Sequence, residues 1–260
     1  MPRAARIKSP VDMYHVMSRS ISEISLFRDD EDRDKYLQLL SKYKSLYIFK
    51  VYAYCLMTTH IHLIIDCGGS DISKIMKSIN QCYASYYNRK YNRHGHVFQD
   101  RFKSKVINSD RYLKVLSAYI HSNPSNAEDP FKILTYKYSS LSIYLGKQTS
   151  PYEILDCSFV LKQFGSSEPT ARKAYLKFIM DSYNSFDVQI DLENYDFQFE
   201  NESSQYIDGR FILFRDVNAE EIINFIQENT GRQINMHFKY KREHIDLKSI
   251  CIVLLRSFCD

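Results

Sequence analysis

The run YIFKVYAYCL-MTT-HIHLIID, residues 47–66, constrains the fold more than any other part of the chain. Its two halves are rich in aromatic and β-branched residues, which reads as two strands. Only three residues separate them, so the expected arrangement is an antiparallel hairpin. His60 and His62 lie in the second strand. Residues two apart on a strand face the same side, so the two imidazoles project together while Ile61 and Leu63 turn to the opposite layer.

The flanking segments supply helices. Residues 29–46 begin with DDEDRD and place Leu37, Leu40 and Tyr43 at helical spacing. Acidic residues suit a helix start. Residues 71–90 carry Ile72, Ile75, Met76, Ile79 and Tyr83 on one stripe, with Ser70 or Asp71 as the cap. A helix over RYLKVLSAYIHS begins at Ser109 or Asp110 and stops by Pro124. Residues 11–19 and QDRFKSKVI read as further strands. Beyond GKQTSP, the segments FVLKQF, ARKAYLKFIMDSY, AEEIINFIQENT (closed by Gly231) and HIDLKSICIVLLRSF look helical. Residues 184–218 show weak periodicity and read as a linker or insert. The last helix ends almost at the chain terminus, consistent with a truncated longer domain.

Charge divides the chain. Residues 1–150 hold 23 Lys and Arg against 13 Asp and Glu; residues 151–260 hold 12 against 18. The basic half suits a polyanion, with affinity from counterion release, or is an unevenly charged solvated surface. The stretch from Arg89 to Lys114 concentrates this charge: Arg89, Lys90, Arg93, Arg101, Lys103, Lys105, Arg111 and Lys114 interleave with Tyr91, Phe98 and Phe102. Cations for phosphates and rings for exposed bases are the means by which single-stranded DNA is bound; a solvated loop explains the same charges. No apolar run approaches the ~18 residues a bilayer span needs. The six cysteines show no CxxC spacing and read as free thiols. A cytoplasmic protein is expected.

Two clusters carry candidate chemistry. His60 and His62 offer nitrogens to a divalent ion, though two ligands rarely complete a site; the plainer reading is two histidines held by backbone bonds. Tyr119 and Asn123 are an i,i+4 pair and share a helix face. A tyrosine can attack phosphorus, and an amide oxygen can join a metal shell. Equally, Tyr119 is one of 21 tyrosines and suits an aromatic core.

Taken in order, YHVMSR (14–19), YCLMTTHIHLII (54–65), HVFQDRFKS (96–104), YIHSNP (119–124) and YKYSSLSIYLG (136–146) resemble the single-tyrosine transposases of the HUH endonuclease superfamily. The match looks nearest to the repeat-associated tyrosine transposases related to the insertion-sequence-200 type, and covers residues 8–148. The resemblance implies a mixed α/β (α+β) fold: a ferredoxin-like antiparallel sheet with flanking helices, plus a mainly helical C-terminal region. It implies a catalytic domain over 1–148 and an extension over 149–260 with a DNA-binding or assembly role. It places Tyr119 as nucleophile and His60, His62 and Asn123 as ligands of Mg²⁺ or Mn²⁺. Arg19, Arg89, Lys90, Arg93, Arg101, Phe102, Lys103 and Lys105 are expected to meet DNA. His15 and His121 are expected near the site, with roles unassigned.

The implied activity is metal-dependent nicking and joining of single-stranded DNA through a 5′-phosphotyrosine, on a strand with hairpin or inverted-repeat structure. The alternative is a nucleic-acid-binding protein that keeps the fold without the chemistry. Relatives include monomers and dimers, so either is admitted, and no membrane role is expected. Two departures stand out. Thr58-Thr59 replaces the Pro-Asn common before the first histidine, and Arg19-Ser20-Ile21 replaces an RGN run.

Overall fold

A computed structural model describes residues 13–124, 132–185, 205–210, 212, 217–232, 234 and 245–259. Most of the weakly periodic 184–218 stretch lies outside the described residues.

Chain order is β1 (Met13–Arg19), α1 (Asp30–Tyr47), β2 (Lys50–Leu56), β3 (His60–Asp66), α2 (Ile72–Lys90), β4 (Lys103–Val106) and α3 (Asp110–Ser122). The strands form one sheet in the order β2-β3-β1-β4, with every pairing antiparallel. This is the split βαβ arrangement of ferredoxin-like folds, as the resemblance implied. The expected hairpin is β2–β3. Its first strand starts at Lys50 rather than residue 47 because α1 continues to Tyr47 and ends at Ile48 in a left-handed conformation. No helix among the described residues is long and apolar enough to cross a membrane.

One sheet face is covered by α1 and α2. The Asp29 side chain caps α1 by accepting from the Asp32 amide, and Asp71 caps α2 through the Ser73 amide. Tyr36, Leu37, Leu40 and Tyr43 of α1, with Ile75, Met76, Ile79 and Tyr83 of α2, bury against Val16, Tyr54, Ile61, Leu63 and Ile65. Burying one such side chain contributes about 1.5–3 kcal/mol, so this layer holds the sheet flat against its helices.

The opposite face carries Met13, Tyr52, Ala53, Cys55 and Ile64. Consecutive Tyr52 and Ala53 share this side because the β2–β3 register shifts between Val51 and Ala53, a bulge that inserts one extra residue. Helix α3, capped by Ser109, covers this face with Leu113, Leu116 and Ile120. Further cover comes from later elements: α4 (Lys132–Thr135), α5 (Leu141–Tyr144), α6 (Ser158–Leu161), α7 (Glu168–Ser185) and α8 (Gln205–Asp208). Tyr144, Val160, Tyr175, Ile179 and Ile207 belong to the same core, so apolar packing runs across residue 148. The mainly helical end closes with α9 (Ala219–Thr230) and α10 (Ile245–Phe258). An Asn218–Glu221 capping box starts α9 and Gly231, at φ 63, ends it.

Two carboxylates fasten the segment around α8 to the sheet and to α3. Asp110 accepts from the amides of Tyr206 and Ile207 at 3.1 and 3.0 Å. Asp66, at the end of β3, accepts from the Tyr52 hydroxyl at 2.8 Å. Arg210 Nη1 lies 2.5 Å from Asp66 Oδ1, and both side chains are 4 % exposed. Removing one partner of a buried ion pair strands the other charge at a cost of 3–5 kcal/mol. Arg210→Met is therefore expected to lower unfolding stability by about 3 kcal/mol, read from the urea midpoint. Arg210→Met with Asp66→Asn should recover part of that loss.

Candidate active site

Cross-strand neighbours in an antiparallel pair lie on one face of the sheet, so the register lays out the site. In the β1–β3 pair, His60 is opposite Arg19, His62 opposite Met17 and Ile64 opposite His15. In the β1–β4 pair, His15 is opposite Lys105 and Met17 opposite Lys103. One face therefore carries His60, His62, His15, Arg19, Lys103 and Lys105. This is the face that α3 covers, and it brings Tyr119 to the histidines. The Tyr119 ring meets the His62 ring edge-on with centroids 5.7 Å apart. His60 and His62 are themselves perpendicular at 5.0 Å.

The two histidines differ in exposure. His62 is fully buried and His60 half-buried. Both have Nδ1 engaged: His62 Nδ1 lies 3.0 Å from His15 Nε2, and His60 Nδ1 lies 3.1 Å from Thr59 Oγ1. His62 Nε2 is buried with no hydrogen-bond partner. Leaving such a group unsatisfied costs about 1–3 kcal/mol, so an orphan here calls for an explanation, of which a bound ligand is one. Burial, reinforced by the neighbouring His15 and His60, holds His62 well below the usual imidazole range. Burial and then Lys105 push His15 down to about 4. Both rings are neutral at pH 7, the form that ligates metals.

Among the described residues, no group of three or more His, Cys, Asp or Glu side chains is arranged to hold a metal ion. A third protein ligand would have to be of another kind. Asn123 sits one turn after Tyr119 at the end of α3, half-buried, and its Nδ2 donates to the Tyr119 carbonyl at 2.9 Å. That bond orients the amide by its nitrogen and leaves the oxygen as the donor atom a cation would use.

The remaining expected residues separate. Arg101 is exposed at the bend before β4. Phe102 is 7 % exposed and packs in the α1–α2 core, on the side away from the histidines. Arg89 and Lys90 end α2, and Arg93 follows it, its guanidinium 6.0 Å from the Tyr87 ring centre. Lys90 Nζ lies 2.8, 3.0 and 2.9 Å from carboxylate oxygens of Asp29, Glu31 and Asp32. Its charge is neutralised within the fold and serves to tie α2 to the start of α1. His121 turns away from Tyr119 into the core, with Nδ1 2.6 Å from the Tyr175 hydroxyl and Nε2 2.7 Å from Ser140 Oγ. It joins α3 to α7 and α5 and does not face the site. A cleft of about 710 Å³ beside α1, lined by Asp30, Glu31, Tyr138 and Lys147 among others, includes none of the candidate residues.

Thr59 and its neighbour matter more than their departure from the family pattern suggested. The Thr59 carbonyl accepts from the Ser20 amide at 2.9 Å and from Ser20 Oγ at 3.2 Å, so the two altered positions brace each other beside His60. No periodicity signals such a contact; only the pairing of β1 with β3 creates it.

The buried histidines imply a pH dependence. Burial pushes His121 down to about 3, so between pH 3 and 6.5 the unfolded chain holds a proton there that the folded chain lacks. Stability from this group is complete above pH 6.5 and is lost as pH falls towards 3. The slope is about 1.4 kcal/mol per pH unit for each such histidine. Urea midpoints at pH 7, 6 and 5 should fall steeply. In His121→Gln, weaker at pH 7, the decline should be shallower by one proton.

A family described as "Transposase IS200 like" matches residues 11–123, a span that contains His15, His60, His62, Tyr119 and Asn123. Among solved structures, "Structure of the REP associates tyrosine transposase bound to a REP hairpin" is 16 % identical with a TM-score of 0.47, over 60 % of this chain and 93 % of that one. No curated protein matches the chain. Residues 11–123 thus match the IS200-like transposases, the same single-tyrosine HUH kind that the sequence motifs resemble.

Proposed function

We propose that this protein nicks and rejoins single-stranded DNA through a covalent tyrosine intermediate, on strands with hairpin or inverted-repeat structure, in DNA transposition. The observation that carries the reading is the convergence on one sheet face of His60 and His62, the Tyr119 ring 5.7 Å from His62, and the cations Arg19, Lys103 and Lys105. Residues 1–148 are proposed to hold the chemistry. The extension from 149 packs on them and is proposed to aid DNA binding or assembly, in a monomer or a homodimer. A cytoplasmic setting belongs to the same reading, in keeping with six free cysteines.

His60 and His62 would hold Mg²⁺ or Mn²⁺ through imidazole nitrogens, with Asn123 adding an amide oxygen. The orphaned His62 Nε2 fits that role. A bound divalent ion supplies charge stabilisation to the phosphate. Arg19, Lys103 and Lys105 would grip the strand by its phosphates, with Arg101 at the margin. Positioning by α3 aims Tyr119 at the phosphorus for in-line attack. The tyrosine oxygen loses its proton and bonds to phosphorus, and the P–O3′ bond breaks. The departing O3′ takes up a proton, leaving a 5′-phosphotyrosine and a free 3′-hydroxyl. The linkage keeps the phosphodiester energy, so a later 3′-hydroxyl can reverse the step and join strands.

A second reading, DNA binding on a retained fold without chemistry, is favoured by the lack of a His, Cys, Asp or Glu triad among the described residues. Labelled single-stranded DNA with Mn²⁺ separates the two. A denaturation-resistant adduct is expected with wild type and none with Tyr119→Phe or in EDTA. Equal adduct from Tyr119→Phe would remove that residue from the nucleophile role, and absence of any adduct would favour the second reading.

The charge distribution yields a separate expectation. Lys105→Ala should weaken DNA binding and flatten its salt dependence, by about 0.7 in the log–log slope per lost phosphate contact. Lys90→Met should lower stability by about 2 kcal/mol, as for a lost charged hydrogen bond, while leaving DNA affinity unchanged in gel shifts.

A further inference from the structure

His15 is a buried polar side chain beside the site to which the chemistry above gives no task. It is 5 % exposed, in the sheet centre on β1, with its ring nearly parallel to that of His62, 16° between planes and centroids 5.3 Å apart. Its Nε2 lies 3.0 Å from His62 Nδ1. A neutral imidazole carries one proton, on either nitrogen. If His62 held it on Nε2, a buried N–H would have no acceptor and the lone pair would point at His15. If His62 holds it on Nδ1, that N–H donates to His15 Nε2 and the unpartnered Nε2 presents a lone pair.

We propose that His15 is a positioning residue: it accepts the Nδ1–H of His62, and so fixes the His62 tautomer and ring plane with Nε2 free to ligate. The inference rests on the metal-site reading above and assigns His15 a part in it. Ligating histidines generally donate their second N–H to a fixed partner, and loss of that partner costs 10–100-fold in metal affinity or activity. Strand pairing makes His15 a rigid acceptor. Its backbone is held between Ile64 on β3 and Lys105 on β4, and its side chain is buried. Thr59 Oγ1 stands in the same relation to His60 Nδ1, at 3.1 Å, so each histidine of the pair has its own partner behind it.

The test compares full-length wild type, His15→Leu and His15→Gln. Gln places an amide oxygen near the position of Nε2 and keeps an acceptor; Leu fills the space without one. Ring-nitrogen NMR of the metal-free proteins reads the tautomer directly. Wild type and His15→Gln should show His62 protonated at Nδ1, and His15→Leu should shift it towards Nε2. Mn²⁺ affinity, read by electron paramagnetic resonance of the free ion, should fall 10–100-fold in His15→Leu and largely return in His15→Gln. Finding wild-type His62 protonated at Nε2, or unchanged Mn²⁺ affinity in His15→Leu, would overturn the role of His15 alone. Absence of Mn²⁺ binding in wild type, abolishing any ligand role for His62, would overturn the metal-site reading and this inference together. Should His15→Leu not fold, the wild-type tautomer and the His15→Gln affinity still decide it.

Discussion

Strand β3 lies between β2 and β1, and its pairing with β1 sets His62 opposite Met17 and Ile64 opposite His15. A slip of one residue would turn every side chain of β3 to the other face. Ile61, Leu63 and Ile65 would then meet α3, and the histidines would be driven into the apolar layer under α1 and α2. Burial of Ile61, Leu63 and Ile65 in that layer opposes the slip. The apolar core thus enforces the geometry of the histidine face, although none of those three residues lies on it.

The second layer works by opposition. Helix α3 buries Leu113, Leu116 and Ile120 on the sheet and so cannot rotate. His121 anchors it from behind through Tyr175 and Ser140, and Asp110 is held by the segment around α8. With the helix fixed on those sides, Tyr119 and Asn123 are left at the histidine end. Elements beyond residue 148 therefore contribute to the placement of Tyr119 by packing, whatever else they do.

Charge in this protein is sorted by the fold and not by the order of residues. Lys90 and Lys105 are similar in sequence context, both amid tyrosines or phenylalanines and other cations. One is neutralised by Asp29, Glu31 and Asp32, and the other lines the sheet face opposite His15. Phe102 and Arg101 are adjacent, yet the bend before β4 puts the ring in the core and leaves the guanidinium exposed. A run of basic and aromatic residues is thus a statement about composition, and which of its charges are neutralised depends on which carboxylates the turns bring near.

Local periodicity alone determined the elements. The stripe Ile72, Ile75, Met76, Ile79, Tyr83 is a helix face; the alternation around HIHLIID is a strand; Asp71, Ser109 and Gly231 act as stops or caps because their chemistry is local. The same-face placement of His60 and His62 and the shared face of Tyr119 and Asn123 follow from strand and helix periods. Tertiary structure decided the rest, since it depends on contacts between residues far apart in the chain. The bulge at Val51–Ala53 turned Tyr52 to Asp66. The packing of α3 set Tyr119 against His62 and turned His121 away from it. The β1–β3 register put His15 behind His62, a contact that no spacing within either strand contains.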